Sequence, residues 1–437
     1  MGTARGVALE ALTACEKQGA WSDGYLKKAI GGAGLDGRDA ALATRLCFGV
    51  LQNRMLLDFY LERLCATPLK KLEVPVLAAL RLGAYQLLFL DRVPDHAAVS
   101  ESVDLARKRA RNPRAAGLVN GVLRSLLRLR AELPVPPDLA TRYSHPQWLA
   151  DAFLARLGRE EGEALLAADN GEPPTCAQVN PLKTTSEALM SALVKRGVEA
   201  EPHSWLPGCL LLRHTGSLEG LPEFQDGLFY IQDAAARLAV LAVEPRPGWR
   251  VLDACAAPGG KSFAAAFAMG NKGEVRSCDI HPHKERLIQA GAKRLGLSCI
   301  RTEVLDSKAC KEDFLDVFDL VIADVPCSGL GIIRKKPDIR YKDPRPLENL
   351  PRVQGAILDN VARYVRPGGS LLYATCTLLE RENEGVVRSF LDRHNHFTLE
   401  GFQVPGPFAD TETGMLTCWP HRHGTDGFFF AKLRRDP

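Results

Sequence analysis

None of the twelve cysteines is spaced as CxxC, and no HExxH frame occurs, which excludes zinc ribbons, thioredoxin-type redox pairs and zincin-type peptidases. Three HxH pairs, His281/His283, His394/His396 and His421/His423, lack nearby cysteines and read as loop histidines, so no metal is expected. No apolar run approaches the roughly 18 residues of a membrane span. A charged n-region followed by an apolar h-region is missing, and Gly6 stands where an N-myristoylation signal needs Ser or Thr. Internal repeats and low-complexity tracts are also absent. These absences point to a cytoplasmic chain without membrane contact, whose cysteines are mostly reduced and buried.

What is present is ordinary globular material. The 437 residues are 46% hydrophobic and 25% charged, enough for two to four domains with cores of their own. Charge is segregated. Residues 1–150 carry 21 Lys and Arg against 14 Asp and Glu, a net +7, whereas the remainder carries 35 against 38, a net −3. A basic domain beside a nearly neutral one is an electrostatic footprint for a polyanion.

Apolar residues recur at helical spacing over 38–51 and 76–90, and a further helix begins near Ala97 with Asp95 as its expected cap. Residues 1–132 are therefore predicted to be helical throughout. Three prolines within Pro134-Val-Pro-Pro137 then interrupt any helix and mark a linker over 133–140. Residues 141–245 mix strands (175–180, 210–214, 227–231) with a helix over 186–196, a small α+β subdomain. From residue 246 strand and helix alternate to the end: strands at 250–254, 274–279, 300–305, 319–324, 370–375 and 427–432. Continuous apolar strands separated by helices predict an α/β domain with a doubly wound, mostly parallel sheet that takes ligands at the strands' carboxyl ends.

The first of those strands runs into Asp253-AlaCysAlaAlaProGlyGlyLysSer262, followed by a helix. Small residues and glycines let backbone approach a ligand closely there, and a helix N-terminus favours anionic groups. Gly260-Lys261-Ser262 mimics the end of a nucleotide-triphosphate loop, but the position of that motif's first glycine is Cys255. Asp279, Asp306 and Asp324 then follow successive strands and line one crevice. A carboxylate after the second strand can hold ribose hydroxyls, so the expected ligand carries a ribose and a base.

Two cysteines share that rim, Cys327 in Asp324-ValProCysSerGly329 and Cys376 in Thr375-Cys-Thr377. Carbon 5 of cytosine is too weak a nucleophile to take a methyl group unaided. A thiolate adding to carbon 6 makes carbon 5 nucleophilic, and a base must later remove the carbon 5 proton. Two cysteines beside an activated methyl suit that problem, and the spacing alone leaves open which one attacks.

AspAlaCysAlaAlaProGlyGlyLysSer, AspValProCysSerGly and TyrAlaThrCysThr together resemble the Sun-related bacterial 16S rRNA cytosine-C5 methyltransferases. Gln232-AspAlaAla235 and Asp426-GlyPhePhePheAlaLys432 are similar too, and 80–90 and 119–124 resemble helices of a NusB-like domain. The resemblance implies a NusB-like RNA-binding domain over 1–132 and a small RNA-recognition subdomain over 141–245. A Rossmann-like class I S-adenosylmethionine-dependent methyltransferase domain would cover 246–437. It implies S-adenosyl-L-methionine held by Cys255, Ala256, Ala257, Pro258, Gly259, Gly260, Lys261, Asp279, Asp306 and Asp324. Cys376 would be the nucleophile and Cys327 the base; Asp324 would orient the cytosine edge, with Lys261 beside it. The target would be 16S rRNA, naked or in early assembly, at the cytosine 967 site, acted on by a monomer. Methylation of tRNA, and a non-catalytic assembly role, are the alternatives.

Eight basic residues and no acidic one lie between Leu105 and Arg130. Of these, Arg107, Lys108, Arg109, Arg111 and Arg114 are expected to contact RNA phosphates. A second run after the Cys327 loop, Arg334 and Lys335, is expected to clamp the target strand beside an extruded base. Asn180 and Lys183 are further RNA candidates.

Overall fold

The computed structural model describes residues 2–18, 22–409 and 411–437. It divides into two compact units, Met1–Glu172 with Ile333–Lys342, and Pro173–Ile332 with Asp343–Pro437.

The first unit is built of helices. Val74–Phe89 is its axis, buried without a break from Val76 to Leu87, as a helix apolar on every side must be. Gly37–Gln52, Asp95–Arg109 and Ala115–Leu129 pack round it in one apolar core. Gly83 allows the close approach: a Cβ there would lie 2.3 Å from Leu123 Cδ1. The residue expected to cap the third of these helices does not. Pro94 occupies the N-cap and Asp95 opens the helix, its carboxylate accepting from Arg130 at 3.3 Å instead. Three shorter helices, Leu139–Arg142, Gln147–Leu157 and Arg159–Ala168, follow the proline run.

Into this unit runs the segment Ile333–Lys342. Arg340 is fully buried, and its guanidinium donates to the carbonyls of Gln52, Tyr143, Ser144 and Asp169 and to Asn170 Oδ1, at 2.8–3.3 Å. The Tyr341 hydroxyl donates to the Leu51 carbonyl at 2.7 Å, and Asp338 accepts from the Ser22 N–H and hydroxyl. Arg334, predicted as an exposed phosphate clamp, is 8% exposed, and its carbonyl accepts from Gln52. A guanidinium so enclosed is not offered to a phosphate. Lys335 beside it is half-buried.

The second unit carries two sheets. In the smaller, β1 (Thr175–Val179), β2 (Glu199–Pro202), β3 (Cys209–Arg213) and β4 (Phe229–Ile231) lie in the order β2-β3-β1-β4, all antiparallel. Asn180 and Lys183 belong to its attachment. Buried Asn180 donates to the carbonyls of Gly227 and Leu295, and Lys183 to those of Asp226 and Arg294. Asn180 is therefore spent on structure, contrary to the RNA role expected of it, while Lys183 stays exposed.

The larger sheet holds β5 (Arg250–Asp253), β6 (Glu274–Asp279), β7 (Ile300–Val304), β8 (Phe318–Asp324), β9 (Val365–Thr375), β10 (Phe397–Leu399), β11 (Met415–Cys418) and β12 (Phe428–Arg435). Strand order is β10-β12-β9-β8-β5-β6-β7, with β11 on β12. The five strands from β9 to β7 are parallel, and β12 joins β9 antiparallel. This is the expected Rossmann-like, mostly parallel sheet. The chain moves outward from β5 through β6 to β7, then returns to lay β8 on the other side of β5. That reversal opens a crevice outside the carboxyl ends of β5 and β8, where such sheets take their ligands.

Candidate active site

The loop after β5 is held in place from beneath. Asp253 is fully buried and accepts from the Ser262 hydroxyl at 2.7 Å, and Ser277 donates to Ser262 at 2.8 Å. Burial pushes the Asp253 carboxyl up to about 7. Above it the Ala256 N–H donates to the Cys278 carbonyl, and the Ala257–Pro258 peptide is cis. Gly259 forms the N-cap of helix Gly260–Ala268 at φ 110°, and a Cβ there would lie 2.5 Å from the Phe263 ring. Only glycine meets both conditions. A Cβ on Gly260 would come within 3.0 Å of Gln232 Nε2. Asp233 Oδ1 next to that glutamine accepts the Asp426 N–H at 3.2 Å, so two more of the sequence motifs meet here.

Cys255 in this loop is half-buried with its sulfur 3.9 Å from Ser307 Oγ, and burial pushes its thiol up to about 12. The carboxylates stand at successive strand ends. Asp279 closes β6 and accepts the His281 N–H at 3.0 Å; Asp306 follows β7 and accepts the Lys308 N–H at 3.0 Å; Asp324 closes β8. Acceptors in a row beside a glycine-built turn fit a ligand with sugar hydroxyls.

Lys261 and Asp324 form a close ion pair, Nζ to Oδ2 2.6 Å, with the lysine only 7% exposed. Burial alone would lower the ammonium, but Asp324 outweighs it and the net direction is upward. The Phe428 ring lies 4.8 Å from the same Nζ. Cys327 follows β8 and Cys376 follows β9, and their sulfurs are 3.2 Å apart. Both are half-buried. The Cys327 thiol is pushed well up by its contact with Cys376, by burial and by neighbouring negative charge.

A buried network ties the two cysteine loops together. Ser328 and Thr377 hydroxyls are 2.7 Å apart, and the Asn383 amide donates to the Thr377 carbonyl at 3.0 Å. The Gly331 N–H donates to the Cys376 carbonyl at 2.9 Å, and Gly427 in turn donates to the Gly331 carbonyl at 2.8 Å. Fully buried Glu382 accepts from the Ser328 N–H at 2.9 Å and from Gln354 Nε2 at 2.8 Å. Sequence reasoning passed over Glu382, Gln354 and Asn383. A charged residue in the run Glu380-ArgGluAsnGlu384 has no local signature that distinguishes it from a solvated helix start.

A family model described as 16S rRNA methyltransferase RsmB/F matches residues 240–434. Models for the NusB family and for the ferredoxin-like domain of RsmF/B-like methyltransferases match 2–128 and 145–219. The probable ribosomal RNA small subunit methyltransferase B of Bacillus subtilis is 38% identical, over 99% of this chain and 98% of its own. The chain belongs to the RsmB/F family of 16S rRNA methyltransferases. The ribosomal RNA small subunit methyltransferase B of Pectobacterium carotovorum is 34% identical, over 91% of this chain and 90% of its own. Among solved structures, that of PH0851 covers 99% of both chains at 27% identity with a TM-score of 0.82. A methyltransferase homolog protein from Pyrococcus horikoshii matches 68% of this chain and 98% of its own, at 28% identity and a TM-score of 0.59.

Within this RsmB/F-family methyltransferase, the five cations of the first basic run lie at and beyond the end of helix Asp95–Arg109, all exposed. Arg107 pairs with Asp104 and Arg109 with Glu10. Among the described residues no group of three metal-ligating side chains occurs, and no helix is long and apolar enough to cross a membrane.

Proposed function

We propose that this RsmB/F-family enzyme transfers a methyl group from S-adenosylmethionine to carbon 5 of one cytosine in 16S rRNA, at the position 967 site that the resemblance points to. The observation that carries the reading is the pair of sulfurs 3.2 Å apart at the strand-end rim that also carries the Lys261–Asp324 pair.

S-Adenosylmethionine, when bound, supplies a methyl group on an electron-poor sulfonium. Residues Cys255 to Lys261 with Asp279, Asp306 and Asp324 would hold it, through close backbone and carboxylate acceptors. Cys376 Sγ adds to carbon 6 of the cytosine, and the ring's electrons move onto carbon 5, which becomes the nucleophile. After methylation Cys327 Sγ takes the carbon 5 proton. The released electron pair re-forms the carbon 5–carbon 6 double bond and expels Cys376 as thiolate. Asp324, oriented by Lys261, would fix the edge of the base. Arg107, Lys108, Arg109, Arg111 and Arg114 would hold phosphates and position the RNA without reading its sequence.

Methyl transfer from labelled S-adenosylmethionine to naked 16S rRNA, 30S particles and tRNA tests the substrate, and naked 16S rRNA is the expected acceptor. Cys376→Ala is expected to reduce incorporation to background. Cys327→Ala is expected to accumulate a covalent protein–RNA adduct, because addition proceeds and expulsion stalls. Normal turnover by Cys327→Ala would overturn its role.

A further inference from the structure

Two thiols 3.2 Å apart resist becoming anions together, because like charges at that distance repel strongly. The pair therefore gives up one proton before the other, and whichever sulfur loses its proton first is the nucleophile. The surroundings of the two are unlike. Cys327 is bracketed on both flanks by one pair of buried side chains. Gln354 Nε2 donates to the Pro326 carbonyl at 3.0 Å, Glu382 Oε2 accepts from the Ser328 N–H at 2.9 Å, and the two side chains bond each other at 2.8 Å. The other carboxylate oxygen of Glu382 is buried and without a hydrogen-bond partner among the described residues. Tyr373 donates its hydroxyl to the Glu382 carbonyl at 2.6 Å and leaves the carboxylate alone.

The other thiol has a cation in its surroundings. The Lys261 ammonium, held by Asp324 at 2.6 Å, is near enough to Cys376 to be stabilised by negative charge on that sulfur. An anion thus borders one thiol and a cation the other.

We propose that Glu382 decides which of the two thiols gives up its proton, keeping Cys327 protonated so that Cys376 is the one to form the thiolate. Glu382 is then a positioning residue that divides the labour between two chemically identical side chains. The upward push that Glu382's charge gives the Cys327 thiol has the required sign. The Glu382 charge stays in place through the reaction, but the second hindrance to ionising Cys327, the charge on Cys376, lapses at the right moment. Once Cys376 is bonded to carbon its negative charge is gone, so Cys327 can give its proton to water and become the base.

This inference rests on Cys376 being the nucleophile, yet the proton's location can be read without RNA. Iodoacetamide alkylates thiolates, forming an S–C bond and releasing iodide, and peptide mass spectrometry reports each cysteine separately. In the full-length wild type, Cys376 should be labelled ahead of Cys327 throughout the neutral range. Glu382→Gln keeps an oxygen for Ser328 and Gln354 but removes the charge. It should shift the Cys376-to-Cys327 labelling ratio toward Cys327 by about tenfold, the effect of one unit of pKa bias. An unchanged ratio in folded Glu382→Gln overturns the proposal. So does preferential labelling of Cys327 in the wild type, a result that needs no variant to fold. Methyl transfer surviving in Cys376→Ala would instead defeat the assignment of the nucleophile and leave the labelling result intact.

Discussion

Asp253 has no solvent exposure, and one of its oxygens, Oδ1, finds no hydrogen-bond partner among the described residues. Burial makes the charged form unfavourable, and the Ser262 hydroxyl only partly offsets this, so the carboxyl is held at about 7. The folded protein thus binds this proton more tightly than the unfolded chain, where an aspartate titrates near 4. Stability from this group is complete below about pH 4 and declines as pH rises toward about 7, with a total on the order of a few kcal/mol. Asp253→Asn cannot ionise and should lose that decline. Urea unfolding midpoints of the two proteins across the range would show it, and parallel pH dependences would refute it. From the sequence Asp253 was legible as the end of a strand. Its missing partner and its titration depend on what packs around it.

Glycine spacing carries the same lesson one level up, in the loops that follow β8 and β9. A Cβ on Gly331 would lie 1.8 Å from the Gly427 carbonyl oxygen and 2.9 Å from that of Cys376. The backbones of three separate loops converge there with no room for a side chain. Gly331→Ala should therefore destabilise the protein by about 1–3 kcal/mol, the usual cost of overpacking. Because the strain falls on the Cys376 carbonyl, methyl transfer should fall further than the loss of folded protein explains. A thermal melt together with activity per folded molecule checks both, and wild-type values in each would show that the loops can part. The larger elements were readable where apolar residues cluster between turn residues, as with Val251-Leu252 in β5 and Leu320–Ala323 in β8. Three short strands were not. β2 is Glu-Ala-Glu-Pro and largely exposed, while β10 and β11 have three and four residues, too few to display a period. β9 also begins earlier than its apolar core suggests. It runs through Pro367-GlyGly369, with a register shift opposite Phe318 and Leu320 that absorbs those breakers.

At the scale of the whole molecule, the charge imbalance predicts how RNA affinity should respond to salt. Arg107, Lys108 and Arg109 are exposed at the end of their helix. If each neutralises a phosphate, changing all three to Gln should weaken binding similarly for any RNA sequence. The slope of log affinity against log salt should become shallower by about 2 to 3 units. Filter binding at several salt concentrations measures the slope, and no change in it would remove these residues from the interface. The second basic run fared differently. Arg334 reads from the sequence as charge beside the Cys327 loop, but it is buried, like Arg340 further along, in a segment that belongs to the helical unit. An arginine with five hydrogen bonds to carbonyl and amide oxygens, as Arg340 has, satisfies a buried surface rather than a ligand.

Local stretches of chain were enough for the alternation of strand and helix, the glycine-built turn after β5, and the placing of three aspartates and two cysteines at strand ends. Each depends on neighbours within a few residues, where apolar period and backbone freedom act directly. Tertiary structure alone decided that Cys327 and Cys376, 49 positions apart, meet at 3.2 Å. It also placed Glu382 on the amide next to one of them and buried Arg334. Those outcomes follow from which strands become neighbours in the sheet and which loop amides need an acceptor once buried, and no local stretch of chain contains that information.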